Sequence, residues 1–237
     1  MRKLLIVVIV LVGLLVAADR VAAAVADHEI ASRVAAAYNL PSKPSVSVRG
    51  FPFLTQVAAG NYHEVDLSIG QVTSGGVQVD GLDARLMGVH APVSDLLGHS
   101  SSSITAAQVS GSGTVPLSSV QNRLPQGVRL SQDGGALRMS GTVSYLGVSV
   151  PVSAVASLGV SPSGITVTPA RVSLGSGINA PASVISGQFR FVVPVTGLPL
   201  HLTVTSVSVT PGGVRVSAAA TNVDFANGTQ FATAMNR

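Results

Sequence analysis

The sequence has no cysteine and no tryptophan, and aromatic residues make up only 4% of its 237 positions. Without cysteine, disulfides and thiolate metal sites are excluded, so the fold depends on side-chain burial and backbone pairing. Charged residues are also scarce at 10%, against 46% hydrophobic residues, which excludes a disordered chain and leaves ample material for a core. That material is mostly Val, Ala and Leu, which line surfaces more readily than they fill wide gaps.

The formal charge of +4 is a poor sign of nucleic-acid binding. Arg2, Lys3 and Arg20 belong to the N-terminal segment, as does Asp19, and without these four the chain has 11 basic and 9 acidic residues. No remaining stretch combines clustered Lys and Arg with aromatic residues. We therefore predict no nucleic-acid partner.

The N-terminus has the organisation of an export signal. Arg2 and Lys3 precede an uninterrupted apolar run of 15 residues, Leu4 to Ala18, and small residues follow at Ala22, Ala24 and Ala26. Two cleavage sites are predicted, before Val25 and before Asp27. The alternative is an uncleaved anchor, because Val21 to Ala26 prolongs the apolar run, although 15 residues fall short of the ~20 that span a bilayer.

These features divide the chain into two parts. Residues 1–26 are predicted to be a signal peptide or an N-terminal membrane anchor within residues 4–26, and residues 27–237 a single β-rich domain. Both alternatives place the domain outside the cytoplasm, in a periplasm or on the outer face of the cytoplasmic membrane.

The domain begins with a predicted amphipathic helix. Between Asp27 and Asn39, apolar residues recur at helical spacing, and Pro41 ends the element. The apolar face carries Ile30, Val34 and Tyr38 as candidate lipid contacts.

From Ser45 onward the hydrophobic period changes to two, which is typical of half-buried strands. Four glycine-containing turns separate the apolar runs and predict hairpins with strands of roughly 8 to 12 residues. They are Ser74-Gly75-Gly76, Asp133-Gly134-Gly135, Ser161-Pro162-Ser163-Gly164 and Pro211-Gly212-Gly213. The predicted fold class is α+β: a long, curved antiparallel sheet wrapped around the N-terminal helix and enclosing an elongated apolar cavity.

The sequence also predicts short helices and contains a weak internal repeat, which we call the internal echo. The helices are predicted at Phe53 to Ala59, Pro92 to Leu97, Pro116 to Leu124 and Ala180 to Ile185. Shifted by 137 positions, the segment Val65 to Val79 matches Leu202 to Val216 in its Val, Thr and Gly positions. This echo favours two related halves of one domain; the alternative is that glycine-turned hairpins of Val, Ser and Thr all look alike.

Catalytic and metal-binding patterns are missing from the sequence. Its five histidines have no metal-ligand spacing, and its ten acidic residues form no paired motif. The segment Gly175 to Ala180 fits a dinucleotide-binding pattern but has no βαβ context around it. We predict no catalytic residue, no metal and no cofactor.

The most distinctive stretch is Gly50 to Tyr62. Its Pro52 predicts an extended entry, after which Phe53, Leu54 and Val57 share one face of a short helix. Such an element could cap a cavity. The pair Phe189 and Phe191 repeats the spacing of Phe51 and Phe53. The apolar lipid-binding candidates in this group are Phe51, Phe53, Leu54, Val57, Tyr62, Phe189 and Phe191.

At these residues the chain resembles a known family. The element Gly50-Phe51-Pro52-Phe53-Leu54-Thr55-Gln56, the following Asn61-Tyr62-His63-Glu64-Val65, and the upstream Asp19-Arg20-Val21-Ala22 are similar to the actinobacterial lipomannan elongation factor (LmeA-like) family. The resemblance implies a tubular lipid-binding-like fold, binding of phospholipids including phosphoinositides in the periplasm, and support of mannan elongation on lipoglycans. It implies no catalytic residue.

Together these observations predict a non-catalytic phospholipid-binding or lipid-transfer protein at the outer face of the inner membrane, with an unidentified mannosyltransferase as a possible protein partner. Phosphate groups of the lipid would meet arginines, whose fork suits phosphate. The candidates are Arg49, Arg85, Arg129 and Arg138, with Arg123 as a further one. The alternatives are a structural or protein-binding envelope module without a cavity, and an enzyme of lipoglycan assembly.

Overall fold

A computed structural model describes residues 1–74, 77–98, 103–121, 124, 127–133, 135–145, 148–161, 164–174, 191–194 and 199–225. The helices are α1 (Arg2–Ala37), α2 (Phe53–Ala59), α3 (Val93–Gly98) and α4 (Leu117–Gln121), with a 3-10 turn at Pro199–His201. The strands are β1 (Ser45–Arg49), β2 (Asn61–Ser74), β3 (Val77–His90), β4 (Thr105–Val115), β5 (Arg129–Asp133), β6 (Ala136–Tyr145), β7 (Val148–Ser161), β8 (Gly164–Leu174), β9 (Phe191–Pro194), β10 (Thr203–Thr210) and β11 (Gly213–Asp224).

The N-terminal helix is continuous over 36 residues and does not break between residues 26 and 27. The segment that joins the apolar run to the predicted amphipathic helix contains neither proline nor glycine and is rich in alanine, the best helix former. By length and composition α1 is the one helix among the described residues that could cross a membrane. The apolar side chains of its first half are exposed.

The strands form two antiparallel sheets rather than one. Sheet A has the order β1-β2-β3-β4-β11-β10 and sheet B the order β5-β6-β7-β8-β9. The α+β class is confirmed. The wrapping of a sheet around the helix and the elongated apolar cavity stay predictions.

The four predicted glycine turns join strands that pair as hairpins: β2 with β3, β5 with β6, β7 with β8, and β10 with β11. Strands β2, β3 and β7 have 14 residues each, more than predicted, which makes each about 48 Å long. The two hairpins of the internal echo, β2–β3 and β10–β11, lie on either side of β4 in sheet A. Whether they are related halves stays a prediction.

The short helices follow the predictions closely where the structure describes them. Helix α2 has the predicted bounds, α3 begins one residue later and ends one residue later than predicted, and α4 is shorter than the predicted Pro116 to Leu124. The predicted helix from Ala180 to Ile185 lies outside the described residues.

Two buried clusters occupy different parts of the fold. One packs sheet B against α4 and the end of β10, around Leu137, Met139 and Val150. The other joins α1, α2 and the adjoining strands of sheet A, around Phe53, Tyr62 and Ala106. The side chain of Gln132 in sheet B donates a hydrogen bond to the carbonyl of Thr210 in sheet A (2.8 Å), so the two sheets meet near the β10–β11 turn.

The core of sheet B yields a stability prediction. Leu137 is 1% exposed, so Leu137→Ala leaves a cavity and is expected to lower the free energy of unfolding of the full-length protein by about 2–5 kcal/mol. Chemical denaturation followed by circular dichroism measures the change. The matched control is Val160→Ala in the same sheet, where the side chain is 43% exposed and the change is expected to stay within about 0.5 kcal/mol. Equal losses in both variants would show that sheet B is not packed around Leu137.

Candidate functional site

Sheet A has one aliphatic face and one polar face. The strand registers align Val46, Leu67, Ala84, Gly111, Ala218 and Val204 in a row that crosses all six strands. With strands about 4.8 Å apart, this row is about 24 Å long. The neighbouring row on the opposite face contains Ser47, Asp66, Arg85, Ser110, Ala219 and Thr203.

The middle of the aliphatic face is half-buried and belongs to neither buried cluster of the described residues. We call this part the aliphatic strip; it comprises Leu67, Leu82, Ala84, Val216 and Ala218. Between its members lie Gly111 and Gly113 of β4, and the side chains of Val79 and Leu82 pack over Gly113, where an added Cβ would lie 2.5 Å from Cγ1 of Val79. The aliphatic strip is therefore a surface of small residues flanked by larger aliphatic side chains.

The polar face carries a network of ion pairs. Asp66 accepts hydrogen bonds from Arg49 (2.9 Å) and Arg85 (3.0 Å), and Arg85 also lies 3.3 Å from a carboxylate oxygen of Glu64. Partial burial alone would raise the pKa of Asp66, but the hydrogen bonds and charges of Arg85 and Arg49 outweigh it and lower the pKa. An open groove of about 580 Å³ lies on this face, lined largely by serines and these charged residues.

The four described headgroup candidates fall into two groups. Arg49 and Arg85 share Asp66 on sheet A. Arg129 and Arg138 lie on the β5–β6 hairpin of sheet B, where Arg138 donates to Asp133 (2.7 Å) and Arg129 is exposed. Arg123 lies outside the described residues. The structure therefore does not bring the predicted arginines into one site.

The Gly50 to Tyr62 element buries two aromatic side chains and leaves two large apolar ones exposed. Phe53 and Tyr62 are buried with ring centroids 6.5 Å apart, and burial raises the pKa of Tyr62. Phe51 is 60% exposed and Leu54 is 45% exposed. As predicted, Pro52 is extended before the helix. Phe53 is the first residue of α2, and its buried side chain anchors the element.

Helix α2 is fastened to α1 by a carboxylate that the sequence prediction missed. Asp19 is 3% exposed and its Oδ1 accepts the backbone N–H of Leu54 in the first turn of α2 (2.8 Å). Asp27, two turns later, accepts the backbone N–H of Val48 in β1 (2.8 Å). Asp19, Ala23, Asp27 and Ala31 recur every four residues, which places them on one helical face. This four-residue spacing is the sequence feature from which the buried face of α1 could have been predicted.

The candidates Ile30, Val34 and Tyr38 are not members of the buried cluster around Phe53. Ile30 is at the threshold of full exposure, Val34 and Tyr38 are half-buried at the end of α1, and burial raises the pKa of Tyr38. Phe191 begins β9, and Phe189 lies outside the described residues. A second open pocket, of about 460 Å³, lies beside α2 and is lined by Gln56, Tyr62 and His63 among others.

Comparison with known proteins gives one match. The profile of a family described as LmeA-like phospholipid-binding matches residues 17–219. No curated protein and no solved structure matches the chain.

A backbone prediction follows from the contact between Gly50 and Gln56. Gly50 has φ +112°, and a Cβ there would lie 2.7 Å from Nε2 of Gln56. Gly50→Ala is therefore expected to lower the free energy of unfolding by about 1–3 kcal/mol. The control is Gly70→Ala in β2, where a Cβ would meet nothing within 4 Å. Thermal unfolding of both variants measures the difference, and an unchanged melting temperature in Gly50→Ala would contradict the described packing of α2.

A pH prediction follows from the lowered pKa of Asp66. A carboxylate with a lowered pKa stabilises the fold above its unfolded pKa of about 3.9, and this contribution is lost as the pH falls through the lower folded pKa. The wild type is expected to exceed Asp66→Asn in stability by no more than about 1 kcal/mol at neutral pH, because Arg49 and Arg85 are exposed. Denaturation curves should show this difference vanishing below pH 3.9; a constant difference would contradict the assignment.

Proposed function

The chain belongs to the LmeA-like phospholipid-binding family, and from this premise we propose that the aliphatic strip of sheet A holds the acyl chains of a phospholipid. The observation that carries the proposal is the strip itself, a half-buried row of Val, Leu and Ala side chains over a strand with two glycines. An aliphatic surface that lies outside both buried clusters of the described residues is a place where an apolar ligand gains contact.

The expected affinity comes from the tails. Each buried CH₂ contributes about 0.8 kcal/mol, so a chain of about fifteen carbons gains on the order of 10 kcal/mol before ordering costs. The row from Val46 to Val204 is about 24 Å long and offers aliphatic contact over this kind of length.

The headgroup is expected to contribute less to the affinity than the tails, because of how the charges are arranged. Arg49 and Arg85 are on the face opposite the strip, and Asp66 and Glu64 neutralise them. On the β5–β6 hairpin Arg138 pairs with Asp133 and Arg129 is exposed, so these two arginines and one carboxylate have a net positive charge. A phosphate or phosphoinositide headgroup is therefore more favourably placed at the hairpin than at Asp66.

We further propose that the protein works outside the cytoplasm, in the periplasm or at the outer face of the cytoplasmic membrane, and acts without catalysis. The apolar first half of α1 and the two basic residues before it support export. Delivering or holding a lipid for lipomannan elongation is the role we propose, with a mannosyltransferase as the class of protein partner.

Two adjacent alanines in β11 allow a matched test. Ala218 faces the aliphatic strip and Ala219 faces the polar side, and both are half-buried. Ala218→Asp puts a carboxylate where the tails would lie and is expected to reduce phospholipid recovered with the purified full-length protein at least about tenfold, since an unpaired buried charge costs several kcal/mol. Ala219→Asp is expected to retain lipid.

The measurement is mass spectrometry of lipids retained after exchange against a labelled phospholipid, with circular dichroism to confirm the sheet. Equal retention in the two variants would overturn the assignment of the strip. A wild-type protein that neither carries nor takes up phospholipid would favour the structural or protein-binding module.

A further inference from the structure

We infer that α1 stays on the mature protein as a membrane anchor, and that Asp19 and Arg20 join it to α2 so that Phe51 and Leu54 lie against the lipid interface. This inference concerns a contact surface for the bilayer and does not require that the aliphatic strip binds lipid.

The folded domain uses residues upstream of both predicted cleavage sites. Asp19 accepts the N–H of Leu54, and Arg20 donates to Asp19 and to the carbonyl of Gly50 (3.3 Å). The guanidinium of Arg20 also lies 5.1 Å from the ring centroid of Phe51, within the range of a cation–π contact. Ala23, one turn after Asp19, is buried in the cluster around Phe53.

Cleavage before Val25 or Asp27 would remove all of these contacts. The N–H of Leu54 would lose its acceptor, and the buried cluster would lose the alanine that covers it. The family match begins at residue 17, which is also upstream of both sites. The domain therefore includes the segment that a signal peptidase would discard.

The apolar run is short for a helix that crosses a bilayer. Leu4 to Ala18 has 15 residues, about 22 Å of helix, whereas a bilayer core is about 30 Å thick. A helix this short draws the residues at its end into the interface. Asp19 and Arg20 sit at that end, and their mutual ion pair lets two charges lie close to hydrocarbon.

The side chains beside the junction of α1 and α2 include two that are apolar and exposed. Phe51 and Leu54 are the exposed apolar members of the α2 element, and both adjoin the Asp19–Arg20 pair. At the surface of a water-soluble domain they would be exposed to solvent. Next to a membrane-spanning helix, the same side chains enter the headgroup region, where aromatic side chains are favoured and arginine extends to the phosphates.

The first experiment is the intact mass of the full chain recovered from bacterial membranes. The expected result is a protein that retains residues 1–26 and resists alkaline extraction. A mature N-terminus at Val25 or Asp27 would overturn the inference.

The second experiment uses the absence of tryptophan, so that an introduced tryptophan is the only tryptophan in the chain and is excited selectively at wavelengths that tyrosine does not absorb. Leu54→Trp and Val160→Trp are matched, because the native side chains are 45% and 43% exposed. In vesicles of brominated phosphatidylcholine, Leu54→Trp is expected to emit at shorter wavelength and lose most of its intensity, whereas Val160→Trp in sheet B keeps both. Equal emission from the two would overturn the bilayer contact.

A third arm separates the bilayer from a bound lipid. Leu54→Trp is repeated in the Ala218→Asp background, in which the aliphatic strip is expected to hold no lipid. Quenching that persists there comes from the bilayer and supports the anchor geometry. Quenching that disappears there would come from lipid in the strip, which would overturn the interfacial placement of α2 while leaving the lipid-binding proposal intact.

Discussion

The arrangement of sheet A depends on one constraint, the in-register alternation of side chains across six strands. Because successive side chains in a strand point to opposite faces, a slip of one residue in any strand would move a carboxylate into the aliphatic row or an aliphatic side chain into the ion-pair network. The antiparallel pairs keep Leu67 beside Ala84 and Asp66 beside Arg85. At the end of the β10–β11 hairpin, the glycine turn at Gly212 and Gly213 fixes where the chain reverses.

The same alternation explains why the ion pairs and the candidate lipid surface are separate. Each arginine on the polar face finds a carboxylate one or two strands away, so the charged residues stabilise the register instead of forming a free cationic patch. In the middle of the aliphatic face, the described side chains belong to neither buried cluster. Gly111 and Gly113 add no side chains of their own, and the buried clusters of the described residues lie at the two ends of the sheet. The half-buried strip is thus a consequence of small residues placed between two cores.

Local features of this fold were predictable from the sequence. Period-two alternation identified the strands, the four glycine turns identified the hairpins, and Pro52 with Gly60 bounded α2, where the glycine adopts the left-handed conformation that ends the helix. The division into two sheets was not predictable, because it depends on β4 pairing with β11 about a hundred residues later. Nor could the neutralisation of Arg49 and Arg85 be read from sequence, since it depends on the register that places Asp66 between them.

Asp19 and Arg20, at the end of the apolar run, have a structural role that their place in the sequence does not indicate. In sequence, the Asp19–Arg20 pair resembles a polar boundary after a hydrophobic segment. In the fold, the partners of this pair are the N–H of Leu54 and the carbonyl of Gly50, which are 35 and 30 residues away. The pair therefore places the N-terminal helix at the α2 end of sheet A, where β4 begins, while sheet B packs near the end of β4. With α1 in a bilayer, β4 leads away from the membrane over about 37 Å. The aliphatic strip would then lie along β4 between the core at α2 and the core of sheet B, so a lipid that enters the strip from the membrane has to pass the α2 end of sheet A.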